Sequence, residues 1–292
     1  MNRHLGLFLI TVVTSTTAGA MQYAGFQHAF GPPVVLHWWQ LALGGLYFSV
    51  PFLGFLTAHE FGHYGMARWH GLRPSLPYYI PAPYQLVPTG SLGAVIVFRG
   101  QFPNRRVLFD FAAGGPIAGF VVAVLASAVG LHWSPIVAGT VAGEPLGSPL
   151  VFHWISDAVL GPIRTGYDVS LHPTAFAGWL GLLFTMMNLV PISQLDGGHI
   201  IYAAVGRHSG WVTIAAIGAL TWAVFGLGAI NWLLWLVLLL VMMRVIGWKH
   251  PPALDDDLPL DVGRLVLVGA VVAIMVMCFM PVPFPGMKFF WW

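Results

Sequence analysis

The sequence predicts an all-α polytopic membrane protein with about seven transmembrane helices. Of its 292 residues, 58% are hydrophobic and only 8% are charged, and the mean hydropathy is +0.79. A soluble domain carries roughly a quarter charged residues. Long apolar segments recur along the chain at about the 20 residues that a bilayer-spanning helix needs. This composition excludes a soluble globular protein, and the net charge of +2 gives no excess that would indicate nucleic-acid binding.

Seven apolar segments are candidate spans. The first follows Arg3 and could be mistaken for a secretory signal, but it lacks a clear small-residue cleavage pattern, so we expect it to be retained. The second is longer than a bilayer is thick. The seven segments are roughly Leu5 to Ala24, Trp39 to Trp69, Phe111 to Leu131, Pro173 to Pro191, Trp211 to Ile230, Trp232 to Trp248 and Leu265 to Met280.

The distribution of lysine and arginine predicts the orientation of these spans. With seven spans and a cytoplasmic N-terminus, only Arg164 and Lys288 fall on the outer side, and the other ten of the 12 basic residues are cytoplasmic. Cytoplasmic loops of membrane proteins carry an excess of Lys and Arg. We therefore expect an integral multi-pass protein of a membrane such as the bacterial cytoplasmic (inner) membrane, with its N-terminus in the cytoplasm.

The second span carries, near its end, the pentad H-E-x-x-H, formed by residues His59 to His63. Residues four apart share one face of a helix, so His59 and His63 can offer two imidazoles to one Zn²⁺ ion. Glu60 then lies beside the metal, where it can take a proton from water and pass it to a leaving amine. Ionisable groups buried in a span have a free-energy cost that usually indicates function.

A catalytic zinc needs a third protein ligand. Asp196 follows the fourth span, which ends on the same side of the membrane as the second, so its depth matches that of His59 and His63; a helix N-cap is the alternative role for Asp196. Asp110, at the start of the third span, is the weaker candidate, and we expect it to pair with Arg105 and Arg106.

The pentad and a second motif together resemble the site-2 protease family of intramembrane zinc metalloproteases. That family joins an H-E-x-x-H span to a later N-x-x-P-x-x-x-L-D-G element, which matches Asn188, Pro191 and Leu195-Asp196-Gly197. The resemblance covers about residues 53 to 201. It includes a glycine-rich motif in the third span, Gly114-Gly115-Pro116-Ile117-Ala118-Gly119, whose glycines indicate close helix packing.

The resemblance implies a ligand set and a mechanism. His59, His63 and Asp196 would bind one zinc ion per chain, and Glu60 would be the general base and acid. Asn188 would hold the substrate carbonyl or its oxyanion, as a preorganised amide donor can. An asparagine that packs between helices is the competing interpretation of Asn188. Apart from the resemblance, His199 lies one turn after Asp196 and could orient that carboxylate, but a structural histidine at the interface is the favoured interpretation.

The loop after the second span contains a predicted strand, Leu92 to Phe98, within a small membrane-associated β-hairpin or strand. It resembles the membrane-associated β-loop of the family, and its edge could receive an unwound substrate segment by β-addition. An ordinary cytoplasmic hairpin is the alternative.

Many family members insert a PDZ domain, and no loop here is long enough for one.

The predicted function is intramembrane zinc endopeptidase activity. We expect one integral membrane peptidase domain over residues 1–292, with a three-helix catalytic core at about 53–201 and further spans at about 211–282. Its partners would be a transmembrane protein or peptide substrate and the lipid bilayer, without nucleic acid. The alternatives are a catalytically silent relative that binds membrane proteins or metal, which the intact Glu60 disfavours, and a metal transporter, which one clustered site disfavours.

Overall fold

The computed structural model describes residues 2–28, 35–139 and 145–285. Nine α-helices dominate these described ranges. They are α1 (Asn2–His28), α2 (Trp38–Trp69), α3 (Arg105–His132), α4 (Leu150–Leu160), α5 (Pro173–Leu189), α6 (Asp196–Val205), α7 (Ser209–Gly226), α8 (Leu233–Ile246) and α9 (Val262–Cys278).

All seven predicted spans are helical, and the fold class is confirmed. By length and composition, four helical stretches are long and apolar enough to cross a membrane: Arg3–His28, Trp38–Trp69, Arg105–His132 and Asp196–Gly226. The fourth, sixth and seventh predicted spans correspond to the shorter helices α5, α8 and α9, of 17, 14 and 17 residues. Helix α4 and the separate helix α6 were not predicted.

Glycines let helices α2, α3 and α5 approach one another closely. A Cβ atom on Gly62 of α2 would overlap with the carbonyl of Gly114 on α3, and a Cβ atom on Gly130 of α3 would overlap with Ala175 at the start of α5. Inside a bilayer, helices associate through close van der Waals contact because lipid is as apolar as the side chains. The predicted packing role of the third-span glycines is thereby confirmed for Gly114.

Bulky side chains fill the space beside these close contacts. The largest fully buried side chains include Phe48, Phe52 and Phe55 of α2 and Trp179 and Leu182 of α5. Phe48 and Phe52 stack with ring centroids 5.2 Å apart. This core fixes α2 against α5 one turn before the pentad begins.

A β-hairpin packs beside α2. Strands β1 (Tyr78–Pro81) and β2 (Ser91–Val95) pair antiparallel, and the Tyr79 hydroxyl lies 2.7 Å from the Thr57 hydroxyl of α2. The predicted strand was longer: it was expected to reach Phe98, whereas β2 ends at Val95. Pairing continues beyond β2 at Val97, whose amide donates to Ser75 Oγ and whose carbonyl accepts from the Ser75 amide, both at 2.9 Å.

A second small hairpin lies in the connection between α3 and α5. Strands β3 (Ile136–Ala138) and β4 (Tyr167–Val169) pair antiparallel, and α4 lies between them in the chain. The sequence did not predict this hairpin.

Candidate metal centre

Helix α2 places His59, Glu60 and His63 in the interior of the protein. Their relative exposures are 5%, 6% and 5%. The Nε2 atoms of His59 and His63 lie 3.1 Å apart, as expected for rings one helical turn apart on one face. The three ionisable side chains of the pentad are therefore buried, whereas Phe61 between them is 45% exposed.

A tight chain reversal brings Asp196 to the two histidines. Helix α5 ends at Leu189, Pro191 cannot extend it, and α6 begins at Asp196 itself. A Cβ atom on Gly197 would overlap with the Leu189 carbonyl, so glycine is needed for α6 to start directly against the end of α5. Ser193 has a positive φ of 47° within this reversal.

The Asp196 carboxylate completes a group of three side chains. Its two oxygens lie 3.3 Å from His59 Nε2 and 3.3 Å from His63 Nε2. The N-cap position of α6 is Leu195, without a side-chain capping hydrogen bond, so the N-cap alternative for Asp196 is wrong. The Asp196 carboxylate instead faces the imidazole rings of His59 and His63.

The donor atoms of these three residues fit a metal ion. All lie within 4.8 Å of one another. His63 Nδ1 is 2.8 Å from the Phe111 carbonyl, which can only accept, so Nδ1 carries the proton and Nε2 presents its lone pair. A cation bound between these atoms would accept the His63 lone pair and neutralise the Asp196 carboxylate. Two imidazoles and a carboxylate are a ligand set that zinc accepts, and zinc as the cofactor agrees with this donor chemistry.

Two glycines of α3 shape the space around the imidazoles. A Cβ atom on Gly115 would overlap with the His63 ring, and one on Gly119 would lie 3.3 Å from His59 Nδ1. These glycines were predicted only as packing positions. The structure shows that they also lie directly against the two histidines.

Glu60 and Asn188 border the same space. The backbone amide of Ile96, just beyond β2, faces the Glu60 carboxyl group. Asn188 Nδ2, in the last turn of α5, is 3.5 Å from His59 Nε2. The structure therefore brings together every predicted site residue: His59, Glu60, His63, Asn188 and Asp196.

Asp110 does not join the centre. Its carboxylate accepts hydrogen bonds of 2.8 and 2.6 Å from Arg264 of α9 and lies 2.8 Å from His70 Nε2. The expected pairing with Arg105 and Arg106 is therefore wrong, because α9 packs against α3 and supplies a better-placed guanidinium group. The pairing does remove Asp110 as a competing ligand.

His199 does not orient Asp196. Its Nδ1 atom lies 2.5 Å from Nε2 of His250, in the connection between α8 and α9. His250 Nδ1 donates to the Pro251 carbonyl at 2.6 Å, so His250 Nε2 accepts from His199. Burial lowers the pKa of His250, which favours this neutral pair. No local motif marked His250, since its contact depends on the tertiary fold.

Comparison with known proteins decides the family. The model of peptidase family M50 matches residues 47–228. The chain belongs to this family. The match contains both sequence motifs and all three members of the metal-binding group, and it confirms the predicted site-2 protease resemblance.

Curated relatives carry zinc metalloprotease names. The protein named Probable zinc metalloprotease EGY1, chloroplastic, from Arabidopsis thaliana is 29% identical over 94% of this chain and 52% of its own length. The protein of the same name from Oryza sativa subsp. japonica is 27% identical over 95% of this chain and 49% of its own length. Probable zinc metalloprotease EGY3, chloroplastic, from Oryza sativa subsp. indica is 31% identical over 77% of this chain and 40% of its own length. The chain spans about half the length of the curated relatives it matches. No solved structure matches it.

Proposed function

We propose that this protein is an intramembrane zinc endopeptidase that hydrolyses peptide bonds in or next to transmembrane segments. The observation that carries the proposal is the convergence of the buried His59 and His63 with the partly buried Asp196, with Glu60 beside them on a helix long enough to span a bilayer. Burying four ionisable groups in such a helix bundle costs stability, and function is the usual reason for it.

In this proposal His59, His63 and Asp196 hold one zinc ion. When bound, zinc supplies Lewis acidity, which polarises a carbonyl and makes water more acidic. Asp196 brings a negative charge that partly neutralises the cation. The Phe111 carbonyl fixes the His63 tautomer and ring orientation, and such outer partners typically raise metal affinity.

Glu60 is the proposed proton carrier. Its carboxylate takes a proton from the attacking water and later delivers it to the amine that leaves. Asn188 offers an amide N–H group beside His59, and we assign it to the substrate carbonyl as negative charge develops there. Both groups lie on helices, so their positions change little during the reaction.

The edge of the β1–β2 hairpin is the proposed docking strand for the substrate. A helical segment protects its own peptide bonds with hydrogen bonds and must be unwound locally before attack. Val97 directs its backbone groups at Ser75, so the neighbouring Ile96 and Phe98 direct theirs to the opposite side, toward Glu60. An extended substrate could pair with that side.

The test is cleavage of a panel of single-span proteins in reconstituted membranes by the wild type and Glu60→Gln, with zinc measured in both. We expect Glu60→Gln to keep its zinc and to lose at least about 100-fold in cleavage rate. Asp196→Ala should lose zinc. Equal cleavage by the wild type and Glu60→Gln would refute the role of Glu60, and Asp196→Ala that holds zinc as tightly as wild type would remove Asp196 from the ligand set.

We further propose a multi-pass membrane location, with the N-terminus and the zinc site toward the cytoplasmic or equivalent face. The Lys and Arg distribution supports this orientation. The bacterial cytoplasmic membrane remains a prediction, and the relatives compared above have chloroplastic in their names. Protease accessibility of a tag at residue 2 in sealed vesicles tests the orientation.

A further inference from the structure

A cleft of about 340 Å³ opens beside the candidate metal centre. One wall is formed by Ile96 and Phe98, from the extended backbone after β2. The opposite wall is formed by His250 and the residues that follow it, up to Ala253, in the connection between α8 and α9. Nothing in the ligand set or in the proposed proton transfer uses this cleft.

Aromatic rings line the cleft continuously from the metal centre outward. The rings of His63 and Phe111 have centroids 4.9 Å apart, those of Phe111 and Phe102 are 5.0 Å apart, and those of Phe102 and Phe98 are 5.0 Å apart. The carbonyl of Phe111 also holds His63 Nδ1. Ile96, which also lines the cleft, directs its amide at Glu60, so two lining residues contact the proposed reacting groups.

Within the part of the chain that the structure describes, most residues that line the cleft are apolar, and none of them is charged. Among the described residues that form the cleft there is no Asp, Glu, Lys or Arg side chain, and its polar members are Gln101, Gln194, His199 and His250. A charged side chain buried there would lose its hydration without gaining a counter-ion, which is costly. A large apolar side chain would gain from leaving water and from contact with the phenylalanine rings.

The strand geometry explains how a substrate side chain would reach the cleft. Ile96 and Phe98 are two residues apart in extended backbone, so their side chains lie on the same face. A substrate strand paired along the backbone edge that faces away from Ser75 would also alternate its side chains between the two faces. One substrate residue close to Glu60 would then project onto the face that carries the cleft.

We propose that this cleft is a specificity pocket that takes one large apolar side chain of the substrate, leucine or phenylalanine in preference to alanine or lysine, next to the scissile bond. This inference rests on the proposed function. The wall of the cleft that begins at His250 lies beyond residues 47–228, the region that matches the family. Contact between His199 and His250 holds that wall in place. Part of the substrate selectivity is thus encoded in the α8–α9 connection, outside the shared core.

The first test measures side-chain preference. A single-span substrate is varied to Leu, Phe, Ala and Lys at each position around its cleavage site, and cleaved by the wild type, Phe102→Ala and the matched control Phe225→Ala, whose ring is 69% exposed on α7. We expect one position at which the wild type and Phe225→Ala prefer Leu or Phe by roughly 10- to 100-fold. Phe102→Ala should reduce that preference to a few-fold. An unchanged preference in Phe102→Ala would overturn the pocket.

The second test measures proximity without requiring cleavage. Cysteine at Gln101, in the Glu60→Gln, Cys278→Ala background, should form a disulfide with a substrate cysteine at the selective position. Leu86→Cys, which is 79% exposed in the β1–β2 loop, should not. Equal cross-linking at both sites would refute the inference even if Phe102→Ala fails to fold. If the wild type cleaves no substrate, the proposed function fails; cysteines placed at each position of the substrate span then decide the pocket, because one of them should cross-link to Gln101→Cys and not to Leu86→Cys.

Discussion

Replacing Gly115 with alanine tests how the centre is built. The new methyl group would overlap with His63 Nε2, the nitrogen that faces Asp196. The His63 ring is buried, and its Nδ1 is tied to the Phe111 carbonyl, so it can move only by breaking a 2.8 Å hydrogen bond. Overpacking of this kind costs roughly 1–3 kcal/mol, and the lost hydrogen bond costs about 1 kcal/mol more.

The expected result is a weaker zinc site in a less stable protein. Disturbing the support of a ligating histidine typically lowers metal affinity by about 10- to 100-fold. The assay is zinc bound per chain over a series of chelator-buffered zinc concentrations, together with the melting temperature of the zinc-free protein. We predict that both decrease for Gly115→Ala.

Gly65→Ala is the matched control. Gly65 lies two residues after His63 on α2, and a Cβ atom there meets nothing within 4 Å. Alanine favours a helix over glycine by about 1 kcal/mol, so this variant should bind zinc normally and melt no lower than the wild type. If Gly115→Ala bound zinc as tightly as Gly65→Ala, the close packing of α3 against His63 would not position the ligand, and the reasoning would be refuted.

Two further predictions concern groups outside the centre. Asp110→Asn removes the carboxylate that joins Arg264 to His70, so it should cost about 3 kcal/mol of stability while zinc content is unchanged; loss of zinc at normal stability would contradict this. Burial lowers the pKa of His172, the N-cap of α5, to about 4. The native state therefore resists protonation, and stability should decrease as pH falls below about 6.5, the unfolded-state pKa. His172→Asn can still accept from the Thr174 amide without titrating, so its melting temperature should fall less between pH 7 and pH 5, and an equal fall would contradict the assignment.

Much of the helical architecture could be predicted from the sequence because lipid requires long apolar segments. The boundaries of α2, Trp38–Trp69, differ from the predicted Trp39 to Trp69 by one residue. Helix α6 was not predicted, because its ten residues are too few for a span and the turn that begins at Gly206 separates it from α7. Strand β2 ends before Phe98 because the residues after Val95 leave the pairing with β1: the Ile96 amide faces Glu60, and Val97 bonds with Ser75.

The centre was predictable because its residues lie in two short motifs with fixed spacing. Helical periodicity alone brings His59 and His63 together, and the glycines after Asp196 permit the reversal that delivers its carboxylate. Contacts between distant segments were not predictable in this way. Arg264 and Asp110 are separated by 154 residues, and His199 and His250 by 51, so their pairing follows from the packing of α9 and the α8–α9 connection.

The most direct test of the central claim is to map the scissile bond in a single-span substrate reconstituted with the wild type or with Glu60→Gln. The peptide products would be identified by mass spectrometry, and zinc content would be measured in both samples. We predict products cut within or at the border of the span, formed by the wild type only, with zinc present in both proteins. Cuts confined to soluble regions far from the span, or the same products from Glu60→Gln, would contradict an intramembrane protease that uses this glutamate.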